Sequence, residues 1–141
     1  MPRSAVVLHV EDEMPNRALL QAVVARSTDP VVSEAVILEA PDLAAARRIL
    51  GEESVDLVLL DVRLPDGNGL DLARDIAGGP APRPDIIILS ASVLPSERDA
   101  ALATGASQFL EKPYVPSELI AVISASLATR VRAEASAASD G

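Results

Sequence analysis

A chain of 141 residues, 49% apolar and without cysteine, is long enough to bury one hydrophobic core with no disulfide or metal staple. The missing cysteine excludes disulfides, thiolate metal sites and thiol nucleophiles together, and a formal net charge of −9 repels nucleic acid and anionic membrane surfaces. One Phe, one Tyr and no Trp leave the core to Ala, Val, Leu and Ile.

Along the chain, short β-rich apolar runs alternate with amphipathic helical patterns. Residues 5–10, 36–40, 57–60, 86–89 and 108–110 have the length and continuity of strands buried on both faces. Between them, helices are predicted over 15–26, 43–50, 70–77, 96–104 and 116 to about 131. Pro116 suits a first helical position, Asp42 or Pro41 opens the second helix, and Gly51 and Gly105 close helices. Five consecutive βα units imply an α/β fold with a doubly wound parallel sheet. Residues 27–34, holding Thr28-Asp29-Pro30, read as a somewhat long connection, and 78–84 as a semi-rigid surface one. The domain is expected over 4–131, with 132–141 a disordered tail. No signal peptide or membrane-length apolar run is visible. The default is therefore a cytoplasmic chain whose partners are proteins or cations, with no direct nucleic acid and no membrane.

In an open parallel sheet, ligands bind at the carboxyl ends of the strands, near the point where strand order reverses. Here the first strand ends in Glu11-Asp12-Glu13, the third in Asp61, the fourth in Ser90-Ala91-Ser92 and the fifth in Glu111-Lys112. Carboxylates brought together repel one another unless a cation neutralises them, so Glu11, Asp12 and Asp61 form a candidate site for a hard divalent ion. With no cysteine, and the only histidine inside a strand, Mg2+ suits the oxygen donors better than zinc. Ser90 and Lys112 then face whatever anion the metal recruits. Lys112 is the sole lysine among twelve basic residues. A compact ammonium fits a confined anion site that a planar guanidinium does not.

Five segments together carry a resemblance: Val10-Glu11-Asp12-Glu13, the run from Leu59-Leu60-Asp61 to Pro65-Asp66-Gly67-Asn68-Gly69, Leu89-Ser90-Ala91, Gly105-Ala106, and Phe109-Leu110-Glu111-Lys112-Pro113-Tyr114. In order and spacing they resemble the receiver domains of two-component response regulators, over nearly the whole chain. The resemblance implies a flavodoxin-like (βα)5 fold with strand order 2-1-3-4-5. It also implies that Asp61 accepts a phosphoryl group from a partner histidine kinase or phosphotransfer protein. Glu11, Asp12, Asp61 and the backbone carbonyl of Arg63 would then hold Mg2+, while Ser90 and Lys112 bind phosphoryl oxygens. Phe109 would undergo the conformational change that remodels the face of the fourth helix, fifth strand and fifth helix. That face would bind a downstream protein target or a second copy of the chain. Such a module is not a turnover enzyme; it assists only its own phosphorylation and dephosphorylation.

Other features bear on this reading. Pro65, Gly67 and Gly69 suit a tight turn after Asp61, and Lys112-Pro113 is a candidate cis peptide. Arg63 and Ser92 flank the approach to Asp61 and are placed to set the phosphoryl lifetime. His9, the only histidine, sits inside an apolar strand, which marks the chain as a phosphoryl acceptor rather than a donor. Two alternatives stand beside the receiver. A Mg2+-dependent phosphatase or phosphotransferase of the haloacid dehalogenase type also uses an aspartyl nucleophile, but resembles an Asp-x-Asp pattern where this chain has Arg63. A pseudo-receiver scaffold that is never phosphorylated would be expected to lack part of the acid, hydroxyl and lysine set.

Overall fold

Because the strand-forming runs are apolar except at His9, Glu39 and Gln108, the sheet must be covered on both sides, and the computed structural model has that arrangement. It describes residues 4–91 and 94–140, with side chains as far as 129. The main elements are β1 (Val6–Val10), α1 (Met14–Ala25), β2 (Val36–Ala40), α2 (Leu43–Glu52), β3 (Leu57–Asp61), α3 (Gly69–Ala77), β4 (Asp85–Ser90), α4 (Pro95–Ala103), β5 (Gln108–Glu111) and α5 (Pro116–Asp140). The five strands form one parallel sheet in the order β2-β1-β3-β4-β5.

Side chains alternate across the strands and divide the core in two. Leu8, Val10, Val58, Leu60, Ile86 and Ile88 pack on one face against Leu43 and Ala46 of α2, Leu72 and Ala73 of α3, and Ala101 of α4. Val7, Leu57, Leu59, Ile87 and Leu89 pack on the other against Leu20 and Val24 of α1 and Leu119, Ile123 and Leu127 of α5. This aliphatic burial is the main source of stability, at roughly 25 cal/mol per Å² of apolar surface removed from water.

Three local predictions need correction. Gly51 does not end the second helix; α2 runs through it to Glu52, with Asp42 as the N-cap accepting from the Ala45 amide at 2.8 Å. The connection over 27–34 contains a single helical turn, Pro30–Ser33, capped by Asp29. Its Val32 is buried in the second face of the core, and Asp29 accepts a hydrogen bond from the Ser124 hydroxyl of α5. Finally, α5 continues to Asp140, past the expected end near Val131. The added residues are rich in alanine, the residue with the highest helix propensity.

Register places the polar strand ends on one edge. Val10 is level with Leu60, so Glu11 and Asp61 follow side by side. Asp61 pairs with Leu89, and Ser90 with Glu111, so Ser90 and Lys112 arrive on the same edge. β1 has β2 on one side and β3 on the other, which puts the reversal of winding between β1 and β3, directly beneath Glu11 and Asp61.

Candidate functional site

Glu11 leaves the sheet immediately after β1, its amide donating to the Ala40 carbonyl at 2.9 Å, and its side chain is only 2% exposed. A buried carboxylate needs partners, and several converge on this one. The Lys112 ammonium donates to Glu11 Oε1 at 2.9 Å, and the Asn16 amide donates to the same oxygen at 3.1 Å. Arg17 Nη1 donates to the Glu11 carbonyl at 2.7 Å. The Lys112 ammonium also reaches Asp61 Oδ2 at 3.4 Å.

Asp61 ends β3 half-buried, with Oδ1 accepting from the Arg63 amide at 3.3 Å. Its other oxygen is thereby left toward Lys112. Beyond it, residues 63–64 and 67–68 pair as a two-residue antiparallel hairpin where the sequence reading placed only a turn. Gly67 takes a φ of +151°, as expected for that turn. Gly69 is required for a different reason: a Cβ there would lie 2.1 Å from the Asp61 carbonyl oxygen.

Electrostatics separate the two carboxylates. Burial alone pushes Glu11 up, but the hydrogen bond and charge of Lys112, with contacts from Asp61 and Asp12, bring it down to about 2. Asp61 is raised, first by burial and then by Glu11, against the pull of Lys112. Lys112 is held above its ordinary value: burial lowers it, and Glu11 and Asp61 outweigh that. Oxygens of Glu11, Asp12 and Asp61 lie within 4.8 Å of one another. Three carboxylates against one ammonium leave surplus negative charge, and the donors are oxygen only. That is the donor set a hard divalent cation takes.

The remaining predicted residues surround this cluster. Asp12, Asp61, Arg63, Ser90 and Lys112 line one open cavity of about 590 Å³. Ser90 is buried at the end of β4, its carbonyl accepting from the Lys112 amide at 2.8 Å. The Lys112-Pro113 bond is cis. Phe109 lies apart from the carboxylates, half-buried against the first face of the core, with the Arg98 guanidinium 5.7 Å from its ring centre. It lines a second cavity of about 380 Å³ with Val62, Leu64, Leu70 and Ser90. Ser92 lies outside the described residues. Asn16, Arg17 and Asp66 were missed by the sequence reading. Asn16 had a signal, the i to i+3 spacing from Glu13, to which its amide donates at 3.2 Å; Asp66 looked like ordinary turn chemistry.

Comparison with known proteins decides what this edge belongs to. The family model described as "Response regulator receiver domain" matches residues 7–124. The chain belongs to the response regulator receiver domain family. The receiver is 38% identical over 113 residues to the KDP operon transcriptional regulatory protein KdpE of Escherichia coli strain K12, covering 80% of this chain and 47% of that protein. It is 36% identical over 121 residues to protein PetR of Rhodobacter capsulatus, covering 86% and 48% respectively. This receiver therefore spans about half the length of the curated relatives it matches. Among solved structures, the signal receiver domain of a putative LuxO repressor protein from Vibrio parahaemolyticus superposes with a TM-score of 0.83. That match has 24% identity, covers 99% of both chains and shares the flavodoxin-like fold. No helix among the described residues is long and apolar enough to cross a membrane.

Proposed function

We propose that this receiver takes a phosphoryl group onto Asp61 from the phosphohistidine of a partner histidine kinase or phosphotransfer protein. An Asp61 oxygen attacks phosphorus, the P–N bond breaks, and its electron pair returns to the donor's imidazole, leaving an aspartyl phosphate. The observation that carries this reading is the juxtaposition of Lys112 with Glu11 and Asp61 at 2.9 and 3.4 Å, on the sheet edge of a chain that belongs to the receiver family.

The chain's residues divide the work. Glu11, Asp12, Asp61 and the carbonyl of Arg63 hold Mg2+, which when bound offsets the charge that builds on the equatorial phosphoryl oxygens. Ser90 hydrogen-bonds one phosphoryl oxygen, and Lys112 pairs with another. Because the nucleophile is a carboxylate, no general base is required. The aspartyl phosphate carries about two negative charges where the carboxylate carried one, and three new acceptor oxygens, which draw Ser90 and Lys112 inward. Phe109 then moves toward the cavity it shares with Ser90, and the α4-β5-α5 face changes the partner it binds, a population shift between two packings. The domain responsible is residues 4–131.

Intact-mass measurement with acetyl phosphate and Mg2+ tests the reading. One added phosphoryl mass is expected on the natural chain and none on Asp61→Asn. Equal labelling of both would remove Asp61 from the role.

A further inference from the structure

Asp66 sits on the exposed tip of the 63–68 hairpin, where a carboxylate has water for a partner. Instead, its two oxygens accept from the backbone amides of Leu43 at 2.8 Å and Ala44 at 3.0 Å. These amides belong to the first turn of α2, whose N–H groups have no partner inside the helix. The two donors hold the Asp66 carboxyl below its ordinary range, the Leu43 amide most strongly. Yet α2 already carries its own cap, since Asp42 accepts from the Ala45 amide. The second cap is supplied from the loop that follows Asp61.

The hairpin is braced at its other end too. Gly69 donates to the Val62 carbonyl at 2.7 Å, and Arg63 donates to Asp61 Oδ1 at 3.3 Å. Gly67, next to Asp66, lies so close to Leu43 that a Cβ there would come within 2.9 Å of its Cδ1. The tip is thus tied to α2, and the base orients the carboxylate. Loosening the tip frees Arg63 to shift both its amide, which fixes one Asp61 oxygen, and its carbonyl.

We propose that Asp66 is a positioning residue for the phosphoacceptor: by anchoring the hairpin to α2, it sets the orientation of Asp61 and of the Arg63 carbonyl. This rests on the assignment of Asp61 and its Mg2+ site given above. Asp66 touches neither, and acts through Arg63.

The two caps on one helix give the test. Mg2+ affinity is measured by calorimetry, labelling rate with acetyl phosphate at subsaturating Mg2+, and melting temperature without Mg2+. The proteins are the natural chain, Asp66→Ala, Asp66→Asn and Asp42→Ala. Asp66→Ala is expected to weaken Mg2+ binding roughly tenfold, the scale for a group that orients a metal ligand, and to slow labelling by a similar factor. Asp66→Asn keeps one acceptor and falls between. Asp42→Ala lowers the melting temperature comparably, but leaves affinity and rate at natural values. Natural affinity and rate in Asp66→Ala overturn the proposal, and so does an equal loss in Asp42→Ala, which would reduce Asp66 to a helix cap. Failure of the natural chain to label would instead count against the phosphoacceptor reading, and the Mg2+ affinities would still judge Asp66.

Discussion

Lys112 and Glu11, 101 residues apart in the chain, meet in a 2.9 Å ammonium–carboxylate hydrogen bond at the carboxyl edge of the sheet. The carboxylate is 2% exposed and the lysine side chain 21%. Charge-assisted hydrogen bonds are short and strong, and this one joins the ends of β1 and β5 across the tops of β3 and β4. Lys112 therefore has a structural role before any phosphoryl group arrives: it neutralises a buried carboxylate whose other side-chain partner, the Asn16 amide, carries no charge.

Replacing Lys112 should consequently affect stability as well as labelling. Breaking a fully buried pair costs about 3–5 kcal/mol, and the partial exposure of Lys112 reduces this to roughly 2 kcal/mol for Lys112→Met. Urea unfolding without Mg2+ should show that loss. Saturating MgCl2 should recover part of it, because the divalent ion takes over the neutralisation. A loss unchanged by Mg2+ would mean that the carboxylates do not bind the ion.

Acid stability should depend on His9. It is 1% exposed, its Nδ1 is buried without a hydrogen-bond partner, and burial holds its pKa down to about 4 from 6.5. Between those values the unfolded chain binds a proton that the folded chain does not, so stability falls as pH drops from 6.5 to 4, by on the order of 3 kcal/mol. Glu11, lowered from 4.5 to about 2, contributes stability that is present above 4.5 and lost as pH falls toward 2. Asp61, whose pKa is raised, works in the opposite sense above its ordinary value. Comparing His9→Gln with the natural chain isolates the first effect: the variant should lose the slope between pH 6.5 and 4 and keep the one below. An unchanged upper slope would show that another group is responsible.

Two glycines should respond in opposite directions. Gly69→Ala drives a Cβ against the Asp61 carbonyl, and is expected to cost about 3 kcal/mol while impairing labelling. Gly51, inside α2, has nothing within 4 Å of the added carbon. Gly51→Ala should stabilise by about 0.5–1 kcal/mol through the helix propensity of alanine, and leave labelling unchanged. Urea midpoints and intact mass measure both.

Phe109 offers a direct view of the conformational change, because it is the sole phenylalanine. Fluorine-labelled phenylalanine should give one resonance that shifts on treatment with acetyl phosphate and Mg2+, and stays in place in Asp61→Asn. Arg98→Ala removes a cation–π contact worth about 0.5–1 kcal/mol, and should move the unphosphorylated resonance toward the phosphorylated position. A resonance indifferent to labelling would exclude Phe109 as the moving part.

The alternation of strands and helices, the parallel sheet and the strand ends that carry Glu11, Asp61, Ser90 and Lys112 were all legible in the chain, because hydrophobic periodicity is local and an apolar run stops where its polar residue begins. Tertiary structure alone decided that Lys112 sits closer to Glu11 than to Asp61, that Asn16 and Arg17 brace the acidic turn, and that Asp66 caps a helix 23 residues away. Those partnerships follow from strand register and from backbone donors exposed at helix starts. An aspartate in a turn, or an asparagine in a first helical turn, has the same local chemistry whichever distant group it meets, so only the folded arrangement selects its partner.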